Sequence, residues 1–146
     1  KVMPPLRTKE DIKALIKGVK DGVLDVVCSD HTPEDIENKQ CEFDNTAFGI
    51  TNLQTSFATM NSALGSKLSL SEMIETITTN PRNILKVHQP DIKEGEEANL
   101  TLFCPTTEFT LEKEQLISKS KNSPLIGRKL TGSVIGIINK NKVRLV

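Results

Sequence analysis

The residues best suited to chemistry in this sequence form the motif Ser29-Asp30-His31-Thr32-Pro33. Asp30 comes soon after residues 23–28, a short apolar run rich in β-branched side chains that is typical of a buried parallel strand. A carboxylate just beyond the carboxyl end of such a strand lies where α/β barrels and open sheets carry catalytic groups. There it can bind a metal ion or transfer a proton. Asp is also common in loops, so capping of a turn is the alternative role for Asp30.

The other polar side chains near Asp30 are weaker candidates. His31 could serve as a base or a metal ligand, or it could be a packed, hydrogen-bonded histidine. Ser29 lacks the flanking glycines of a nucleophile elbow. The remaining groups are expected at the surface: the loop carboxylates Glu34, Asp35 and Glu37, and His88 near the end of a helix.

The cysteines argue against a disulfide framework. Cys28, Cys41 and Cys104 are far apart and odd in number, and no CxxC motif occurs. With only two histidines in the chain, a complete Cys/His zinc site is not expected either. Cys28 is expected as a small buried apolar residue, and a cytoplasmic protein is predicted.

The composition excludes several classes of function. Hydrophobic residues make up 36% of the 146 residues, and 19 basic side chains balance 19 acidic ones. The absence of a charge excess argues against nucleic acid or an anionic membrane as a partner. No apolar run approaches the roughly 20 residues of a membrane helix. The chain does not begin with Met, so a piece of something longer is expected.

The elements that would position Asp30 are of α/β type. Thr8 and Asp11 predict a helix N-terminus, and the apolar spacing continues this helix to Asp21-Gly22. The predicted strand 23–28 and an exposed loop over 34–46 follow. Further helices are predicted over 50–64, after the capping box Ser69/Glu72, and from Asn80-Pro81, where Asn would be the N-cap.

The character of the chain changes near Pro90. Partial alternation predicts short strands at 99–103 and 109–111, and a polar connection over 118–132. A closing hairpin is predicted from 133–138 and 142–146, with Asn139-Lys140-Asn141 as its turn because Asn tolerates positive φ. These patterns divide the chain into an α/β part, 1–88, and a β part, 89–146.

Several motifs taken in order resemble the C-terminal third of class I bacterial dihydroorotases, in the amidohydrolase superfamily. They cover essentially the whole chain, and together they are specific. They are Pro4-Pro5-Leu6-Arg7, Ser29-Asp30-His31-Thr32-Pro33, Ala47-Phe48-Gly49-Ile50, Thr79-Asn80-Pro81, Ala98-Asn99-Leu100 and Ser118-Lys119-Ser120-Lys121-Asn122-Ser123-Pro124.

The resemblance implies the end of a (β/α)8 barrel over 1–88 and the C-terminal half of a small β domain over 89–146. It implies that Asp30 is a metal ligand and the catalytic acid/base, and that Phe48 and Gly49 contact substrate. The implied reaction is the reversible closure of N-carbamoyl-aspartate to dihydroorotate in pyrimidine biosynthesis. Zinc is the family's metal, and none is expected in these 146 residues alone. A homodimer or aspartate transcarbamoylase is the implied protein partner.

Two positions depart from the family pattern. Met3 stands where the family has a substrate-binding Asn, and Glu34 stands where it has a His for the substrate carboxylate. A thioether cannot replace the hydrogen bonds of Asn, and Glu34 would repel a carboxylate. These mismatches favour an alternative, a non-catalytic dihydroorotase-like protein with a structural or regulatory role.

Overall fold

The computed structural model describes residues 1–140 and 142–146. Four helices precede a three-stranded antiparallel sheet of order β1-β2-β3. The elements are α1 (Lys9–Lys20), α2 (Ser56–Leu64), α3 (Leu70–Ile77), α4 (Thr79–Leu85), β1 (Asn99–Thr110), a 3-10 turn (Lys113–Gln115), β2 (Lys129–Asn139) and β3 (Lys142–Leu145). Among the described residues, no helix is long and apolar enough to cross a membrane.

Local capping signals place the starts of α1 and α3. Thr8 and Asp11 form a reciprocal capping box at α1, and Ser69 and Glu72 form another at α3, as predicted. Each box satisfies two backbone N–H groups that have no partner within the helix.

The predicted strand over 23–28 is wrong for the described structure, which has no strand there, and Val23 and Cys28 are exposed. A strand exists only through hydrogen bonds to neighbouring strands. The nearest pairing is a single parallel bridge between His31 and Ile50.

Two helix starts also differ from prediction. The helix expected over 50–64 begins at Ser56, because Ile50 pairs with His31 and Thr51 N–H donates to Asn122 O at 2.8 Å. The N-cap of α4 is Thr78. Asn80 lies inside this helix, and its side chain donates to Asp25 O at 2.9 Å.

The β part contains longer strands than the sequence predicts. The two strands expected at 99–103 and 109–111 are joined in one strand, β1, which ends at Thr110 and whose register against β2 shifts between Cys104 and Glu108. β2 begins at Lys129, within the region expected as a connection. The closing hairpin is confirmed by the pairing of Asn139 with Lys142. Lys140 has a positive φ of 54°, and Asn141 lies outside the described residues.

Helix α2 joins the helices to the sheet. Ala58 packs with Leu111, Leu116 and Leu130, whereas Met60 packs with Leu68 and Met73. The Asn61 side-chain amide donates to Pro105 O at 2.8 Å and to Thr131 O at 2.9 Å. These two bonds hold helix α2 to strands β1 and β2. The division of the chain into 1–88 and 89–146 stays a prediction.

Candidate active site

Asp30 lies in a loop with an unusual backbone conformation. Its φ is 45°, in the left-handed region that Asp tolerates better than most residues. Its carbonyl oxygen accepts a hydrogen bond from Thr32 Oγ1 at 3.0 Å. Its side chain is exposed, and within the described part of the chain the carboxylate accepts no hydrogen bond. The carboxylate is thus available to a ligand or a proton.

His31 is held by hydrogen bonds, which is one of the two roles expected for it. Its Nδ1 accepts the backbone N–H groups of Asn52 and Leu53, both at 3.1 Å. A ring nitrogen accepts only when it carries no proton, so the proton of the neutral imidazole is on Nε2. The Nδ1 lone pair is therefore occupied and does not serve as a metal ligand or a base.

Residues 29–32 and 50–53 form a connected unit, which we call the site clasp. Thr32 N–H donates to Ile50 O at 3.0 Å, and the Asn52 side chain donates to Ser29 O at 3.0 Å. Together with the two bonds to His31, these contacts bond the residues before and after Asp30 to residues 50–53. Asn52 has no role in the sequence-based prediction, although its place three residues after Gly49 in the Phe48-Gly49 motif was a usable signal.

Gly49 lies behind the clasp, where no side chain fits. Its φ is 129°, and a Cβ there would lie 2.5 Å from Thr32 O. Gly49 N–H donates to Lys1 O at 2.9 Å, which brings the segment containing Met3 beside the clasp. Phe48 is half exposed, and Lys1 Nζ lies 4.7 Å from its ring centre in a cation–π arrangement.

The Ser118–Asn122 motif connects the β part to this site. The Asn122 side chain donates to Gly49 O at 3.2 Å, and Thr51 Oγ1 donates to Ser120 O at 3.2 Å. Thr51 N–H also donates to Asn122 O at 2.8 Å. The motif therefore supports the clasp from residues about 70 positions away in sequence, a contact that no local pattern reveals.

Glu34 and Met3, the two mismatched positions, are accessible. Glu34 lines a cavity of about 530 Å³ together with Lys119 and Lys121. Its carboxylate accepts a long hydrogen bond of 3.4 Å from the Asn38 side chain. Met3 is 60% exposed.

The described residues do not fit a zinc ion by themselves. Among them, no three His, Cys, Asp or Glu side chains come together in a group that could hold a metal. Asp30 is one carboxylate, and the neighbouring His31 uses Nδ1 for the backbone of Asn52 and Leu53. All three cysteines are free thiols, and Cys28 is exposed rather than buried as expected.

Comparisons with known proteins support the motif-based assignment. No protein-family model matches the sequence. A dihydroorotase from Carboxydothermus hydrogenoformans is 43% identical over 135 residues, which are 90% of this chain and 31% of the relative. A dihydroorotase from Thermoanaerobacter sp. is 37% identical over 99% of this chain and 34% of its own length. The chain thus spans about a third of the length of these relatives.

A structural comparison confirms the fold class. The L-hydantoinase (dihydropyrimidinase) from Arthrobacter aurescens superposes with a TM-score of 0.87 over 100% of this chain and 35% of its own, at 23% identity. At that identity the likeness concerns the fold: the solved neighbours are amidohydrolase (β/α)8 barrel proteins, and this chain matches a mixed α/β part of that fold. Sequence and fold together identify the 146 residues as homologous to a stretch that makes up about one third of the length of these dihydroorotases.

Proposed function

We propose that these residues form the C-terminal third of a metal-dependent cyclic amidohydrolase of dihydroorotase type, with Asp30 in its active site. The observation that carries the proposal is the exposed Asp30 carboxylate, in a loop whose residues on both sides of Asp30 are bonded to residues 50–53. It occurs in a chain with 43% identity to a dihydroorotase.

The role proposed for Asp30 follows from the chemistry of ring opening. Cleavage of a cyclic amide requires removal of a proton from the attacking water and delivery of a proton to the leaving nitrogen. One carboxylate can perform both transfers in turn. Zinc, with its other ligands outside these residues, would polarise the substrate carbonyl.

The proposed substrate pair is dihydroorotate and N-carbamoyl-aspartate, in cytoplasmic pyrimidine biosynthesis. Phe48 and Gly49 are proposed to contact it: Gly49 lies beside Thr32 of the clasp, and Phe48 precedes it with a half-exposed side chain. Assembly as a homodimer is part of the same proposal.

Glu34 and Met3 favour a second candidate, a non-catalytic dihydroorotase-like protein, for example one that partners aspartate transcarbamoylase. Two like charges about 4 Å apart at an effective dielectric near 20 repel by about 4 kcal/mol. Loss of a charge-assisted hydrogen bond costs about 1.5–3 kcal/mol more. Lys119 and Lys121 line the same cavity, but they do not restore the missing donor at position 34.

A steady-state assay of the complete gene product with zinc supplied tests the role of Asp30. If it is an enzyme, kcat/KM reaches about 10⁴ M⁻¹s⁻¹ or more. Asp30→Asn then lowers kcat at least about 100-fold, and the free energy of unfolding stays within about 0.5 kcal/mol because the carboxylate is exposed. Equal activity of wild type and Asp30→Asn would contradict the proposal.

Restoration of the family residues separates the two candidates. If the protein is non-catalytic because of its substrate contacts, Glu34→His with Met3→Asn raises kcat/KM from near background by at least about tenfold. Glu37→His is the matched control, because Glu37 lines the same cavity on the same loop. A wild-type enzyme that is already fully active, and that gains nothing from the double substitution, excludes the second candidate.

A further inference from the structure

We propose that His31 is a positioning residue that holds Asp30 in its left-handed conformation. This inference rests on the proposed function only in giving Asp30 a role at an active site. The geometry is independent of that role. The Nδ1 atom of His31 accepts two consecutive backbone N–H groups, and the residue before His31 is an Asp with positive φ.

The conformation of Asp30 needs an external cause. A non-glycine residue in the left-handed region is disfavoured by about 1–2 kcal/mol, and such residues persist only where the surroundings impose them. Asp30 contributes only its carbonyl group to the local hydrogen bonds. The constraint therefore comes from its neighbours, Ser29 before it and His31 and Thr32 after it.

Among these three neighbours, only His31 bonds to the 50–53 segment through its own side chain. Ser29 and Thr32 are bonded to the 50–53 segment through their backbones, and any residue type other than proline at position 32 retains these bonds. The imidazole instead spans the gap and satisfies two N–H groups near the start of α2 at once. Without the imidazole, the N–H groups of Asn52 and Leu53 lose their acceptor, and the Asp30 loop loses its side-chain bonds to the 50–53 segment.

Three variants of the complete gene product test the proposal. His31→Leu removes the acceptor, whereas His31→Asn keeps one, because Asn Oδ1 is as many bonds from the backbone as His Nδ1. His88→Leu is the matched control, since His88 is exposed and its contact to Arg82 uses only the backbone carbonyl.

The first readout is local structure. In His31→Leu we expect amide hydrogen exchange at Asn52 and Leu53 to accelerate at least about tenfold and a crystal structure to show Asp30 with negative φ. In His31→Asn and His88→Leu, exchange at both amides stays within about threefold of wild type. If Asp30 retains positive φ in His31→Leu, or if exchange at the two amides is unchanged, the proposal is overturned.

The second readout is catalysis, where wild type is active. Loss of a positioning contact lowers kcat by about 10–100-fold and changes KM little, and His31→Asn recovers most of kcat. A loss of kcat in His31→Leu that His31→Asn does not recover overturns the positioning role. An inactive wild type contradicts the proposed enzyme function but not the role of His31. Amide hydrogen exchange and the φ angle of Asp30 then decide that role.

Discussion

At the residue scale, Gly49 joins four segments around the candidate site. Its N–H group donates to Lys1 O, its carbonyl oxygen accepts from Lys39 and Asn122, and the place of an added Cβ lies against Thr32. A side chain at this position would push apart the segments that hold Asp30.

We therefore expect Gly49→Ala to destabilise the protein by about 2–5 kcal/mol, since it combines a disfavoured φ with a clash against backbone. Gly95→Ala is the control, because Gly95 has a φ of 85° but no atom within 4 Å of the place that an added methyl group would take. It should cost only about 1–2 kcal/mol. Urea unfolding of the complete gene product measures both, and equal costs would show that the contact with Thr32 is unimportant.

Cys104 is a second residue with distinct chemistry. Hydrogen bonds from Thr106, and then from Thr107, lower the pKa of its thiol to about 6. The thiol is therefore mostly deprotonated at neutral pH, and its alkylation by iodoacetamide should reach half its maximal rate near that pKa.

The measurement is mass spectrometry of labelling against pH in a Cys28→Ser, Cys41→Ser background. Thr106→Val with Thr107→Val removes the hydroxyl donors and should raise the midpoint toward the usual thiol value of about 8.5. Thr101→Val, an exposed position elsewhere on β1, should leave it unchanged. A wild-type midpoint near 8.5 would contradict the prediction.

At the element scale, helix starts depend on reciprocal caps. Ser69 accepts from the Glu72 N–H, and Glu72 accepts from the Ser69 N–H at the start of α3. Hydrogen bonding with the Ser69 side chain, and then with the Ser69 backbone N–H, lowers the pKa of Glu72 from its usual 4.5. A lowered folded-state pKa means that this stabilisation is complete above the unfolded value and is lost as the pH falls through the folded one.

Ser69→Ala should accordingly lower the free energy of unfolding by about 1 kcal/mol at neutral pH. The difference from wild type should shrink as the pH falls from about 4.5 through the lowered pKa of Glu72, where the carboxylate becomes protonated. Ser66→Ala, an exposed serine outside the helix, is the control and should change little. A pH-independent difference would show that Glu72 does not contribute.

At the scale of the whole molecule, much apolar surface is exposed. Ile12 and Leu15 of α1 are half exposed, and so are Val134 and Ile135, which alternate to opposite faces of β2. Surface of this kind is covered in stable proteins by further chain or by a partner.

The 146 residues expressed alone should therefore self-associate or bind an apolar-surface dye, whereas the complete gene product should do neither. Light scattering and dye fluorescence at equal molar concentration give the comparison. If the 146 residues form a compact monomer that binds no dye, the exposed apolar faces of α1 and β2 do not require further chain or a partner to cover them.

The starts of α1 and α3 could be predicted from sequence, because a capping box involves residues three positions apart and depends on nothing distant. The amidohydrolase fold class was also predicted, because the family's short sequence motifs occur in this chain in the family's order. Asp30 was singled out as the central candidate, and its exposure is consistent with that role, which stays a prediction.

The tertiary structure alone decided what surrounds Asp30. Asn122 reaches Gly49 across 73 residues, and His31 bonds to Asn52 and Leu53 across about 20. The apolar residues 23–28 are predicted as a strand from their composition, but they form no strand in this structure. Composition reports which side chains favour a sheet, but a strand forms only where neighbouring backbones supply hydrogen bonds, and contacts between distant segments determine where those backbones lie.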